Sequence, residues 1–365
     1  MSATSKSIDL LLLPGDGIGP EIMRAVEASL KALERRLDLG LRLETVEIGL
    51  AALERHGRTM PTDMLDRARR ADGIVLGPLS TWNYPPADKG GVNVSALLRR
   101  ELDLYANIRP CRTRPGLPSV ARAMDLVIVR ENSEGFLADR VMAVGQGEFM
   151  PTPDVALAVR KITASASTRI AEVAAALAAG RRRKLTAVHK GNSLKLSDGL
   201  FLRQVRAVVE RWPGVEYEEV LVDAMAALLV RCPHRFDVVV TTNLFGDILS
   251  DEAAELSGSL GLAASLNSSE RWAVAQAAHG SATDIAGQDR ANPTGLLLST
   301  AMLLRWIADR RGDERLARGS DLLSASVEEV LAEPSLRTSD LGGECGTERF
   351  GAEVAERIHG SQESP

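Results

Sequence analysis

Val238-Val239-Val240-Thr241-Thr242-Asn243-Leu244-Phe245-Gly246-Asp247-Ile248-Leu249-Ser250-Asp251 joins the two kinds of pattern from which this chain is built. Val238–Thr241 is a short, bounded apolar run of the kind that forms a buried strand. If the residues past Gly246 are helical, Asp247 and Asp251 stand four apart and project from one face. Two carboxylates held that close repel each other unless a cation lies between them, so the spacing points to a hard divalent metal. Oxygen-only donors favour Mg²⁺ or Mn²⁺ over Zn²⁺. The competing reading is a solvated acidic helix face. The pair alone does not decide.

Outward from this stretch, short apolar runs alternate with longer amphipathic segments. Ile8–Leu13, Gly73–Leu76, Leu126–Val129 and Leu185–His189 read as strands, and Glu21–Leu37, Ile170–Ala179 and Leu200–Arg211 as helices. The alternation predicts an α/β fold with a largely buried sheet. Pro, Gly and Asn mark Thr81–Gly91 as a mobile loop, and Val144–Pro153 as an irregular stretch suited to an extended arm. No internal repeat or low-complexity linker separates the parts, so the two domains expected of this length are interleaved.

The 365 residues are 45% hydrophobic, enough for a large core, and carry a formal net charge of −5. No global field draws such a chain to nucleic acid or an anionic membrane. Cys111, Cys232 and Cys345 are odd in number and scattered, which fits a reduced compartment without disulfide framework or zinc site. Leu10–Leu13 is too short for a membrane span. The expectation is a cytoplasmic protein.

Pro14-Gly15-Asp16-Gly17-Ile18-Gly19-Pro20-Glu21 follows a strand and opens a helix, which invites a dinucleotide-binding reading with Glu44 or Glu47 as the ribose acid. The spacing fails. The third glycine of the fingerprint falls on Pro20, a residue that starts helices, so a conventional Rossmann fold is not expected. Arg99, Arg109 and Arg130 stand near the ends of elements, where a guanidinium binds carboxylates with two bonds or serves as a surface ion-pair partner. Lys190 follows a buried strand in Val188-His189-Lys190-Gly191-Asn192, either as a general base or as a lysine that merely reaches solvent. His279-Gly280-Ser281-Ala282-Thr283-Asp284-Ile285-Ala286-Gly287, followed by Asn292-Pro293-Thr294, is a loop whose backbone N–H groups suit phosphate or adenine.

Taken together and in this order, these segments resemble the β-decarboxylating dehydrogenases, the isocitrate, isopropylmalate, homoisocitrate and tartrate/D-malate enzymes. The resemblance runs from Leu11 to about Glu353 and includes Asp340-Leu341-Gly342-Gly343. It implies an isopropylmalate/isocitrate dehydrogenase-like fold, with a cofactor-side domain of residues 1–104 and 258–365 and a dimerisation domain of 105–257. An arm near 141–160 would clasp a second subunit, giving a homodimer with shared active sites. Arg99, Arg109 and Arg130 match the residues that hold the malate carboxylates, with Asn93, Ser95 and Asn192 also at substrate-side positions. Asp247 and Asp251 match metal ligands of one subunit. Asp223 matches the ligand from the other, which also brings the catalytic Lys190. His279, Gly280, Ser281, Ala282 and Asn292 match the cofactor's adenine-side contacts. Asp284 falls where NAD-dependent members place an acid against the ribose hydroxyls, so NAD is the expected cofactor, with Mg²⁺ or Mn²⁺.

The chemistry this implies is removal of hydride from C2 of a 2-hydroxy diacid with Lys190 taking the hydroxyl proton, then loss of CO₂ and protonation at C3. In Arg130-Glu131-Asn132-Ser133-Glu134-Gly135-Phe136-Leu137 the sequence departs from the family. Members usually carry the proton-donating tyrosine at the position of Leu137, and neither leucine nor the adjacent Phe136 has a proton to give. Protonation is then left to water or Lys190, or the substrate needs another last step, or the protein is a weakened member. The segment Gly90–Arg99 defines a 3-substituted malate and no narrower class. Two alternatives stand beside oxidative decarboxylation: a malate- or tartrate-type dehydrogenase with slow or no CO₂ loss, and a binding or regulatory homologue.

Overall fold

The computed structural model describes residues 7–137 and 147–360. The chain divides into two compact units, the first of residues up to Leu102, Pro115–Pro118 and from Ser259 onward, the second of Asp103–Arg114 and Ser119–Gly258. The short return of Pro115–Pro118 to the first unit has no signal in the sequence. Both units are mixed α/β.

The first unit opens with β1 (Ile8–Leu13), α1 (Gly19–Leu37), β2 (Leu41–Thr45), α2 (Leu50–His56), α3 (Met64–Arg70), β3 (Gly73–Leu76) and α4 (Val94–Glu101). The second comprises β4 (Ala106–Arg112), β5 (Asp125–Glu131), β6 (Glu148–Thr152), β7 (Val155–Ala158), α5 (Ala164–Ala179), β8 (Lys184–His189), α6 (Ser197–Val209), β9 (Glu216–Leu221), α7 (Val222–Arg231), β10 (Val238–Thr241) and α8 (Asn243–Ser257). The chain then returns with β11 (Leu266–Ser268), β12 (Ala273–Gln276), α9 (Thr294–Arg311), α10 (Glu314–Ala332) and α11 (Thr347–Gly360).

In the first unit the strand order is β2-β1-β3-β12-β11, parallel except for the antiparallel β11–β12 pair. A Rossmann half would run 3-2-1 instead, so the glycine-rich turn after β1 belongs to a different fold. Helix α1 begins with Pro20 in its first turn, where the missing N–H costs nothing. Its Ile22, Met23, Val26, Leu30 and Leu33 form one buried stripe, and the helix ends where Asp38 turns left-handed and its N–H bonds Glu34 O.

In the second unit the order is β4-β5-β10-β8-β9, with only β4–β5 antiparallel. Side chains of β5 and β10 alternate between two cores. Val127, Val129, Val238 and Val240 pack on one face with α5 and α6, while Leu126, Ile128 and Val239 pack on the other with α7 and α8. A strand buried on both faces has no polar side, which is why these segments read as unbroken apolar runs.

Two local expectations gain detail. Thr81–Gly91 is an irregular connection, as expected, and holds two short 3₁₀ turns; just beyond it Thr59 accepts the N–H of Val92 at 2.8 Å and donates its hydroxyl to Val92 O at 2.9 Å. Of the arm expected near 141–160, positions 141–146 lie outside the described residues. From Glu148 the chain forms an antiparallel pair, β6–β7, with every strand position exposed, Phe149 opposite Leu157 included. All three cysteines are free. Among the described residues no helix is long and apolar enough to cross a membrane.

Candidate active site

The second unit gathers four of the charged residues singled out in the sequence. Strands β4 and β5 carry Arg109 and Arg130, and β10 pairs with β5 so that Thr241 lies beside Arg130. Thr242 caps the next helix in an extended conformation, and α8 begins at Asn243. The strand register therefore places the first turns of α8 directly beyond Arg130. Asn243 Oδ1 accepts from Arg130 Nε at 2.9 Å and Nη2 at 2.7 Å, and its Nδ2 donates to Glu134 O at 2.7 Å. Arg130 also bonds Asp247 Oδ1.

Arg109 is engaged on every side. Its Nε donates to Asn107 Oδ1 at 2.7 Å, and its Nη1 to Ser250 Oγ at 2.7 Å and Asp251 Oδ1 at 2.9 Å. Its Nη2 lies 3.5 Å from Asp247 Oδ1. The two arginines are 7% and 3% exposed, whereas the side chains of Asp247 and Asp251 are 40% and 51% exposed. The cations form the floor and the carboxylates face out. Burial pushes the Asp251 carboxyl above its usual range; Arg109 opposes this and the neighbouring Asp247 adds to it.

The donor chemistry fits a hard divalent cation in part. Asp247 and Asp251 lie one turn apart on α8, the first partly exposed and the second exposed, and the arginine hydrogen bonds fall on Oδ1 of each. Among the described residues, however, no group of three or more His, Cys, Asp or Glu side chains is arranged to hold a metal. The described residues of one chain bring two carboxylates together here and no third.

Asp223, in the first turn of α7, pairs with Lys190 instead. Lys190 Nζ donates to Asp223 Oδ1 at 2.5 Å, and the ammonium holds that carboxyl below its ordinary range. The Lys190 backbone N–H is fixed at 2.6 Å by Asp198 Oδ2, whose fully buried carboxylate also pairs with Arg160 at 2.5 Å. Arg160 in turn donates to Thr242 Oγ1 at 2.9 Å. No hydrogen bond or ion pair among the described residues joins Lys190 or Asp223 to Asp247 or Asp251. Asn192 is exposed in the turn after β8. Leu137 is 50% exposed, at the end of a segment anchored by Glu134, whose carboxylate accepts the N–H and hydroxyl of Thr163 at 2.7 and 2.9 Å.

In the first unit, Asn93, Ser95 and Arg99 line up along α4. Asn93 caps that helix by accepting Ala96 N–H at 2.9 Å, and Ser95 donates to Gln276 Oε1 at 3.0 Å. Arg99 is half-buried in the last turn. The loop from His279 is locked to the glycine-rich turn: Ser281 O accepts Ile18 N–H at 2.9 Å and its hydroxyl meets that of Ser80 at 2.8 Å. Gly17, with φ +58°, sits so close that a β-carbon there would fall 1.9 Å from Ser281 O, so only glycine fits. Gly280 and Ala282 flank this contact, Ala282 itself left-handed with φ +37°. Burial pushes the His279 imidazole below its ordinary value, and its buried Nε2 has no hydrogen-bond partner among the described residues. With Nδ1 donating to Gly280 O at 3.0 Å, Nε2 is left as an acceptor of the kind an adenine amino group requires, so the loop fits the expected cofactor. The Asp284 side chain is exposed. Asn292 is committed at both ends, donating to Asp340 Oδ2 at 3.0 Å and accepting Thr294 N–H at 3.0 Å.

Sequence reasoning missed Asp16, Asn243, Ser250 and the Arg160–Asp198 pair. Asp16 is buried and accepts Leu50 N–H at 2.6 Å, Ser80 N–H at 2.8 Å and Tyr84 Oη at 2.5 Å, so it ties the glycine-rich turn to two neighbouring loops. An acid inside a glycine turn was a signal in plain view. The others had none beyond lying next to residues already chosen.

Comparison with known proteins follows the same lines. Residues 9–354 match the family model described as isocitrate/isopropylmalate dehydrogenase. The 3-isopropylmalate dehydrogenase of Methanothermobacter thermautotrophicus is 40% identical over 97% of this chain and 99% of its own. The isocitrate/homoisocitrate dehydrogenase of Thermus thermophilus is 40% identical over 96% of this chain and 98% of its own. The crystal structure of isocitrate dehydrogenase from Methylococcus capsulatus superposes with a TM-score of 0.84 at 36% identity, covering 96% of this chain and 99% of that one. With motif order, fold and these matches in agreement over nearly its whole length, the chain belongs to the isocitrate/isopropylmalate dehydrogenase family of β-decarboxylating dehydrogenases.

Proposed function

We propose that the protein is an NAD- and Mg²⁺- or Mn²⁺-dependent dehydrogenase that oxidises and decarboxylates a 3-substituted malate, acting as a homodimer whose active sites draw on both subunits. The observation that carries this reading is the Arg109–Arg130 floor beneath Asp247 and Asp251. Buried guanidiniums that now neutralise the two aspartates are placed to exchange them for substrate carboxylates, bound with two bonds each. Arg99 would add a third cation, and Asn93, Ser95 and Asn192 would border the 3-substituent.

When bound, the cation supplies polarisation of the substrate's C2 oxygen, and the nicotinamide supplies the hydride acceptor. Asp247 and Asp251 would hold the cation from one subunit and Asp223 from the other. The separation of the Lys190–Asp223 pair from Asp247 and Asp251 within one chain supports that division. Lys190, fixed by Asp198 through its backbone and released by Asp223 once that carboxylate holds the cation, would accept the proton of the C2 hydroxyl as the neutral amine. The 2-keto acid that results has a carboxylate β to its carbonyl, loses CO₂, and leaves a C3 centre that needs a proton. Leu137 offers none, so water or Lys190 must give it. His279, Gly280, Ser281, Ala282 and Asn292 would shape the adenine end of the cofactor pocket. Asp284, an exposed acid, would favour ribose hydroxyls and repel a 2′-phosphate.

The bare β6–β7 pair supports the dimer, because an isolated two-stranded hairpin with Phe149, Met150 and Leu157 exposed is marginal in water.

The test is NADH formation and CO₂ release across a panel of 2-hydroxy diacids, with Mg²⁺ or Mn²⁺ and then with EDTA. Metal-dependent NADH and CO₂ in equal amounts are expected with one 3-substituted malate. NADH without CO₂ would support the malate- or tartrate-type reading, which Leu137 favours. Neither product from any acid would support a binding subunit.

A further inference from the structure

The chain is acidic overall, with a net charge of −5, yet one pocket on its first unit is strongly cationic. It opens beside the C-terminal ends of α3 and α9 and the turn joining β11 to β12, and encloses about 280 Å³. Five arginines border it, Arg69, Arg70, Arg271, Arg310 and Arg311, against one lining carboxylate among the described residues, Asp72. Asp72 is already used. Its Oδ2 accepts Asp9 N–H at 2.8 Å, and its Oδ1 pairs with Arg311. Arg69 leans toward Glu101 at 3.4 Å. Arg70, Arg271 and Arg310 have no carboxylate partner among the described residues.

Two of these three are held in place by aromatic rings. The Arg271 guanidinium stands 4.6 Å from the Trp272 ring centre, and that of Arg310 stands 4.7 Å from Trp306. Such stacking contributes about 0.5–1 kcal/mol at exposed sites and leaves the in-plane N–H donors uncommitted. Trp272 is itself tied down, its Nε1 donating to Arg69 O at 3.4 Å. Arginines in the last turn of a helix ordinarily complement the helix dipole. That accounts for Arg70 and Arg310 one at a time, but not for Arg271, which lies on a turn, nor for their meeting at one cavity.

We propose that this pocket binds a small, multiply charged phosphate anion, an inorganic polyphosphate or a phosphate ester. A planar carboxylate is satisfied by one guanidinium fork. Three forks carried by three separate elements suit a tetrahedral oxyanion with oxygens on every side. The volume lies near the lower end of ligand pockets, roughly 300 Å³, which suits a pyrophosphate or a mononucleotide. The site is independent of the dehydrogenase reading, because none of its residues is assigned a part in that chemistry.

The experiment is calorimetric titration of the full-length protein with pyrophosphate, AMP and citrate, repeated on the Arg70→Gln/Arg310→Gln double variant. Pyrophosphate or AMP is expected to bind at one site per chain and more tightly than citrate. The double variant should weaken that binding by about tenfold or more, while the melting temperature of the free protein and its dehydrogenase activity stay unchanged. Tighter pyrophosphate than AMP assigns the site to polyphosphate, and the reverse order to phosphate esters. The proposal is overturned if neither phosphate binds, if citrate binds as tightly as both, or if the double variant keeps the wild-type affinity.

Discussion

Arg130 lies across α8 at Gly246, where an added β-carbon would sit 2.7 Å from both Cβ and Cγ of the arginine. The glycine is the gap through which the guanidinium reaches Asn243 and Asp247. Gly246→Ala should therefore displace Arg130 despite the higher helix propensity of alanine. Overpacking of this kind costs about 1–3 kcal/mol, and KM for the diacid should rise with it. Urea unfolding together with steady-state kinetics measures both. A variant with unchanged stability and KM would show that the arginine does not depend on this gap.

Leu137→Tyr should raise CO₂ release if protonation at C3 limits turnover. General acid help is worth on the order of two to four decades, and the exposed position accepts the larger ring without repacking. Single-turnover measurements separating NADH formation from CO₂ release provide the check. Equal or lower CO₂ release from a folded variant would sink the idea that the missing phenol limits the rate.

His279 sets a pH dependence of stability. Burial lowers its pKa below the ordinary imidazole range, so between the folded and unfolded values the unfolded chain binds more protons. Its contribution is fully present above the unfolded value and is lost as pH falls through the folded one. When unfolding free energies of wild type and His279→Gln are measured from neutral pH down to about pH 5, the wild type should lose more stability with acid than the variant. Parallel curves would remove the histidine from the account.

Asp16→Ala should destabilise the first unit by about 3 kcal/mol, since it strands the buried donor of Ser80 and the partly buried donors of Leu50 and Tyr84. Burial and the Asp16 carboxylate together hold the Tyr84 phenol protonated far above its ordinary range, so the tyrosine acts as a donor throughout the accessible pH range. Asp16→Asn keeps the acceptor oxygen and should recover part of the loss. Equal midpoints for the two variants in urea would contradict a hydrogen-bonding role.

The two classes of residue differ in how far they could be read in advance. Strands β5, β8 and β10 were legible because burial on both faces writes itself into consecutive residues. Pro20 and the Asp247/Asp251 spacing were legible for the same local reason. Asn93 and Asn292 were legible as site-side residues only by family resemblance. Their side chains turn out to cap α4 and to bridge Thr294 with Asp340. Thr81–Gly91 was legible as an irregular connection, but its composition carries no record of Thr59, which bonds Gly90 and Val92 at its end.

By itself, then, the sequence determined the α/β alternation, the rejection of a Rossmann turn, the family, and the inventory of carboxylates, arginines and lysine. Each of these depends on neighbours within a few residues or on motifs kept in order. Tertiary structure alone decided who holds whom: Arg130 with Asn243, 113 positions away, Asp16 with Ser80, 64 away, and Lys190 with Asp223, 33 away. Periodicity encodes which side of an element is buried. It carries no information about which distant polar group meets it there, because that depends on strand register and on the path of every segment between.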